Sequence, residues 1–151
     1  MIKKIFIMIL ILVLSGCGFK VAKKSNYEGL KISNIDISGE KRINFHLKNN
    51  IFSLVANESS GLVALEITTK KNRFIKEKNI KNEITKYQLK VIAEVVVITN
   101  NINRSKPIPF SKIGDYNVST QRLQTLNNEK QLVKRLSEDI AVEIVEMVAK
   151  Y

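Results

Sequence analysis

The chain has 151 residues, 44% of them hydrophobic, with 25 Lys and Arg against 14 Asp and Glu, a formal net charge of +11. Its single cysteine excludes an intramolecular disulfide and a thiolate metal cluster, so folding rests on packing. The length suits one domain, and the basic excess points to anionic partners. The chain is also rich in Ile, Asn and Lys together, a bias that AT-rich coding alone produces, so the placement of charge informs more than its sum.

Met1 to Lys4 form a short basic head, and Ile5 to Leu14 are an unbroken apolar run. Basic head, apolar run and small residues in that order make a secretory signal peptide. The run falls short of the about 20 apolar residues of a membrane span. An A-x-A-like cleavage site is absent, and Leu14-Ser15-Gly16-Cys17 instead resembles the bacterial lipobox. That resemblance implies cleavage before Cys17, a diacylglycerol on its thiol and an acylated amine, which makes residues 1–16 a leader and Cys17 the lipid attachment. One acyl chain anchors only marginally, at about 0.8 kcal/mol per buried CH₂, and a multiply acylated cysteine supplies the rest. Gly18 stands where Asp would signal inner-membrane retention, so the expected site is the outer membrane, lipid-anchored on the periplasmic side. An exported chain rarely meets nucleic acid. The anions in its reach are lipids, phosphorylated glycolipids and acidic polymers.

Phe19 to Gly29 is polar, basic and without helical period, so residues 17–29 read as a lipidated tether and residues 30–151 as a single domain. Leu30, Ile32, Ile35 and Ile37 alternate with polar neighbours and predict a first strand, with a bulge where the period slips at Ser33-Asn34. After Ser38-Gly39, the spacing of Ile43, Leu47, Ile51, Leu54 and Val55 predicts a helix, with Phe45 and Phe52 off the stripe. Asn57 to Gly61 is a turn cluster. Val63, Leu65, Ile67 and Thr69 alternate in a second strand, which stays extended and becomes very basic. Tyr87, Leu89, Val91, Ala93, Val95 and Val97 share one face of a third strand, and its end from Val95 to Ile98 is apolar on both faces. Asn100 to Arg104 forms a turn. A fourth strand follows from Pro107 to about Val118, and its two prolines predict an irregular start or a sheet edge. From Asn127 the period is helical: Leu132, Leu136, Ile140 and Ile144 step by four, joined by Val133, Met147 and Val148. Glu129, Lys134, Glu138, Glu143, Glu146 and Lys150 are expected on the wet side.

The order β-α-β-β-β-α predicts an α+β fold, a four-stranded, largely antiparallel sheet with two helices packed on one face.

Taken together these segments resemble the lipopolysaccharide-assembly lipoprotein family LptE. The likeness runs through Cys17-Gly18-Phe19, the early strand LKISNIDIS, the helix INFHLKNNIFSLV, the strand ITKYQLKVIAEVVV, the segment DYNV and the tail NNEKQLVKRLSEDIAVEIVEMV. Asn128-Glu129 and the acidic pair Glu138-Asp139, before and within the last helix, match the family's tail. The resemblance implies a two-helix, four-stranded sandwich that plugs the outer-membrane barrel LptD, assists its assembly, and binds lipopolysaccharide during delivery to the outer leaflet. No reaction, cofactor or metal is implied. The long polar C-terminal extension of some members has no counterpart after Tyr151.

Charge is concentrated between residues 70 and 90, where Lys70, Lys71, Arg73, Lys76, Lys78, Lys81, Lys86 and Lys90 face only Glu77 and Glu83. In an extended chain Lys76, Lys78, Lys86 and Lys90 share one parity and one face. A row of ammonium groups suits the phosphates of a lipid A head, and these eight are the lipopolysaccharide-binding candidates. A charge-blunted strand edge is the plainer reading. His46, the sole histidine, has no Cys, Asp or Glu at ligand spacing and no G-x-S-x-G elbow accompanies it, so a structural or surface role is expected. Asp139 and Glu143 read as a wet helix face. Tyr116 and Phe110 are core residues or anchors on a partner barrel. An alternative function is a periplasm-facing structural lipoprotein that binds cell-wall polymer or activates a wall synthase. An enzyme ranks last, for want of a nucleophile, a metal set or a phosphate loop.

Overall fold

A computed structural model describes residues 27, 30–57, 63–99 and 105–150. The leader, Cys17, nearly all of the expected tether and the turns expected at residues 58–61 and 100–104 lie outside the described residues. The elements are β1 (Lys31–Gly39), α1 (Lys41–Leu54), β2 (Ala56–Asn57), β3 (Val63–Lys78), β4 (Ile84–Thr99), β5 (Ile108–Asn117) and α2 (Arg122–Val148). They form one sheet in the order β2-β1-β3-β4-β5. Both helices pack on one of its faces, the α+β arrangement expected from the element order.

The sheet is mixed. β3 to β5 are antiparallel, whereas β1 runs parallel to β3 and to the two-residue β2. Parallel neighbours need a crossover of a dozen residues or more, and α1 provides it by carrying the chain back to the end of the sheet where β1 began. The period slip in β1 is a bulge: the register with β3 shifts between Ile32 and Asn34. The shift lets Ile32 and Ile35, three residues apart, both point into the core.

The core lies between the sheet and the two helices. Ile43, Leu47 and Ile51 of α1 and Leu136, Ile140 and Ile144 of α2 meet Leu65 and Ile67 of β3 and Leu89, Val91 and Val95 of β4. Each such side chain stabilises the fold by about 1.5–3 kcal/mol on burial. Tyr27, though outside the strand, already packs against this core. At the far end of β4, Val96 is buried on the opposite face, as the apolar run there predicts. β5 is a sheet edge, which accommodates Pro109 without breaking a ladder on both sides.

α2 departs from expectation in two ways. α2 begins at Arg122, five residues before Asn127. Its first two turns place Leu123 and Leu126 in water, so they add no stripe by which the sequence announces a helix. Glu129, expected on the wet side, is buried at 8% exposure.

The junction of β1 and α1 depends on a glycine. Gly39 has φ +100°, and a Cβ there would lie 2.1 Å from the Thr69 carbonyl oxygen. The N-cap residue Glu40 makes no side-chain cap. Instead the buried Thr69 hydroxyl of β3 accepts from the Glu40 N–H (3.0 Å) and sits 2.5 Å from Asn44 Oδ1. A neighbouring strand thus satisfies a donor that the helix start leaves orphaned.

Candidate functional site

The basic segment forms a long hairpin. β3 loses its neighbour β1 beyond the pair Gly39–Thr69, and β4 loses β5 beyond Lys86–Asn117, where Lys86 still pairs with Glu77, so from Lys78 outward the ribbon is two strands wide. All residues from 72 to 83 are exposed. Alternation divides the candidate cations between two faces, because side chains of opposite parity leave a strand on opposite sides. Lys71 pairs across the sheet with Val91 and Arg73 with Leu89, both inward residues, whereas Lys70, Asn72 and Phe74 pair with Ile92, Lys90 and Gln88 on the face without helices.

On the helix side, Lys71 and Arg73 are absorbed by a polar cluster. Lys71 Nζ donates to Glu129 Oε1 at 2.8 Å and Arg73 Nη1 lies 3.7 Å from Oε2. The Tyr116 hydroxyl donates to the same oxygen at 3.3 Å. Arg73 also stacks over the Tyr87 ring at 4.8 Å, and the Tyr87 and Tyr116 rings are 5.6 Å apart. Burial raises the Glu129 pKa, but the Lys71 hydrogen bond and charge, with help from Tyr116 and Arg73, outweigh it and hold the carboxyl below its ordinary value. Burial pushes the Tyr116 phenol up. Tyr116 is core, and Phe110 packs partly buried against the core.

On the open face, part of the charge is also paired. Lys70 reaches Glu94 at 3.6 Å, Lys86 donates to Glu77 at 2.8 Å, and Lys76 is in direct contact with Asp115. The bond from Lys76 lowers the Asp115 pKa, and the bond to Glu77 raises that of Lys86. Lys78 meets only the Asn82 amide oxygen, at 2.9 Å. Lys81 and Lys90 have no carboxylate partner among the described residues. Of the eight candidates, then, Lys78, Lys81 and Lys90 remain for an external anion. Parity in the sequence separates Lys71 and Arg73 from the five even-numbered candidates, and Lys81, odd as well, lies in the turn. It is silent about Glu94, Asp115 and Glu129, which neighbouring elements bring in.

The remaining residues singled out in the sequence fall elsewhere. His46 is half-buried on α1 with Phe45 edge-on at 5.4 Å, and burial lowers its pKa. Glu143 pairs with Lys112 of β5, while Asp139 is exposed. A shallow, open depression of about 450 Å³ lies where β5 meets α2, lined by Asp115, Asn117, Gln131 and Arg135 among others. No described helix is long and apolar enough to cross a membrane.

No protein-family model matches the chain, and no curated protein matches it by sequence. Solved structures do match. The rare lipoprotein B of Shewanella oneidensis superposes with a TM-score of 0.63 at 16% identity, over 80% of this chain and 94% of that protein. A putative lipoprotein of Caulobacter crescentus gives 0.61 at 12% identity, over 79% of this chain and 88% of its own. A minor lipoprotein of Acinetobacter baumannii gives 0.53 at 14% identity, over 80% and 91%. The chain shares their fold. At such identities the likeness concerns the path of the chain, nearly end to end in each neighbour.

Proposed function

We propose that this protein is an outer-membrane lipoprotein, acylated at Cys17, that plugs an LptD-like barrel, assists its assembly and binds lipopolysaccharide through the β3–β4 hairpin, with no reaction catalysed. The observation that carries this reading is the ribbon of β3 and β4 beyond the rest of the sheet, which presents Lys78, and Lys81 in its turn, without carboxylate partners among the described residues, with Lys90 lower down on the open face. Lysines held on a strand and its turn suit phosphate groups of a glycolipid head as point charges. The lipobox-like leader and a fold shared with solved proteins described as lipoproteins support the anchoring half of the proposal.

The test is affinity purification of the tagged, acylated protein from its own outer membrane, with mass spectrometry of what co-elutes. An LptD-like barrel at near-equal stoichiometry is the expected result. Wall fragments or a wall synthase in its place would overturn the barrel-plug reading in favour of a structural lipoprotein.

A further inference from the structure

The geometry of the hairpin apex points to a second role: the turn at residues 79–83 is an insertion element for the interface of an anionic lipid bilayer. Ile80 stands at the apex with its side chain wholly in water, at 104% relative exposure. Nothing in the fold holds it there for packing. The turn around it is closed on itself. The Asn79 N–H donates to the Glu83 carbonyl and the Asn82 N–H to the Asn79 carbonyl, each at 2.9 Å. Asn79 Oδ1 accepts from the N–H groups of Lys81 and Glu83, both at 2.9 Å, and its amide donates to Glu83 Oε2 at 2.8 Å. Asn82 takes the left-handed conformation, φ 63°, that closes the turn and that Asn tolerates better than most residues.

Two consequences favour a lipid surface. The backbone donors of Asn79, Lys81, Asn82 and Glu83 are already satisfied inside the turn and need no water, so moving the apex into a low-dielectric interface leaves fewer groups to desolvate. The turn is also ordered in advance, so Ile80 is presented without further loss of chain entropy. Lys78 and Lys81 flank the apex and have no carboxylate partner among the described residues, which sets cations at the depth of lipid phosphates when Ile80 enters the acyl boundary. Interfacial elements reach about 5–10 Å into that boundary. A protein partner is the poorer fit, because one apolar side chain at an apex falls far short of the about 800 Å² per partner of a stable interface. The proposal needs neither a barrel nor lipopolysaccharide, so it stands apart from the function proposed above.

The chain contains no tryptophan, so a single Ile80→Trp substitution gives a clean reporter in the full-length, acylated protein reconstituted into vesicles. With phosphatidylglycerol present, its emission is expected to shift to the blue and to be quenched by brominated acyl chains. Phe45→Trp, at an exposed site on α1, is expected to do neither. Each of Lys78→Ala and Lys81→Ala is expected to lower the ratio of inserted to free emission about fivefold, as a lysine near an anionic surface does. Water-like, unquenched emission of Ile80→Trp in every vesicle, or equal quenching of Phe45→Trp, would overturn the proposal. A shift that appears only when lipopolysaccharide is added would also overturn it, and would return the apex to glycolipid recognition.

Discussion

Glu129 brings the strongest constraint on single residues in this molecule. It answers Lys71 and Arg73 from the neighbouring strand and Tyr116 from the sheet edge, and each of them helps hold its charge against burial. Removing the carboxylate strands two cations and a phenol at the sheet–helix boundary. Lys71 and Arg73 keep contact with water, so Glu129→Gln should destabilise the fold by about 1–2 kcal/mol rather than by the larger penalty of a fully buried pair. The pH dependence has a definite sign. Because the folded pKa of Glu129 lies below the unfolded value, about 4.3 for a model Glu, the unfolded chain binds more protons in that window. The stabilisation is therefore complete above the unfolded value and is lost as pH falls through the folded one. Urea unfolding followed from pH 6 down to strong acid should show wild type losing part of its advantage over Glu129→Gln only below about pH 4.3. A constant difference through acid would show that the carboxyl does not titrate in the fold. In the sequence this residue reads as part of a wet helix face by its charge alone, although it stands four residues before Val133 and seven before Leu136, in line with the apolar stripe. Only the side-by-side placement of β3, β5 and α2 reveals its partners.

At the scale of elements, the sequence is legible where burial is one-sided. The alternation of β3 and β4, the bulge in β1 and the stripe of α1 all lie where the periods place them, because each of these elements buries one face. The first turns of α2 bury nothing and are illegible for that reason. The parallel pairing of β1 with β3 is equally silent, since orientation follows from where α1 returns the chain and not from either strand's own pattern. The junction that fixes this return is Gly39 with Thr69. Gly39→Ala would set a Cβ against the Thr69 carbonyl at a positive φ, and the clash is with backbone, which yields little. A loss of about 2–4 kcal/mol is expected. Thr69→Val keeps the shape but leaves the Glu40 N–H without its acceptor, for about 1–2 kcal/mol. Thermal unfolding of both variants checks the order: equal losses would mean that the Thr69 hydroxyl, not the backbone approach, is the limiting contact.

At the scale of the whole molecule, the two ends differ. The chain enters the domain at β1, beside the start of β3, while β3 runs 16 residues to the hairpin, about 50 Å at strand rise. The far end carries exposed Phe74, Ile75 and Ile80 among lysines. If this end takes phosphorylated glycolipid, the cations divide by role. Lys78→Glu, Lys81→Glu and Lys90→Glu together reverse the three charges that no carboxylate answers. Neutralising them alone removes about 1 kcal/mol each, roughly a hundredfold in affinity together, and reversal removes more. The loss should shrink in high salt, as the screening length falls from about 10 Å at 0.1 M to about 3 Å at 1 M. Lys71→Ala with Arg73→Ala removes two charges on the other face, against a change of six in the triple variant, at a place where Glu129 holds both. That pair should lower the urea midpoint and leave binding within a fewfold of wild type. Glycolipid titrations of the two multiple variants at both salt concentrations separate the faces. Unchanged affinity in the triple variant, or an equal fall in the Lys71 and Arg73 variant, would mean that the hairpin's net charge acts without regard to face, and the ribbon would then be a solubilising edge rather than a site.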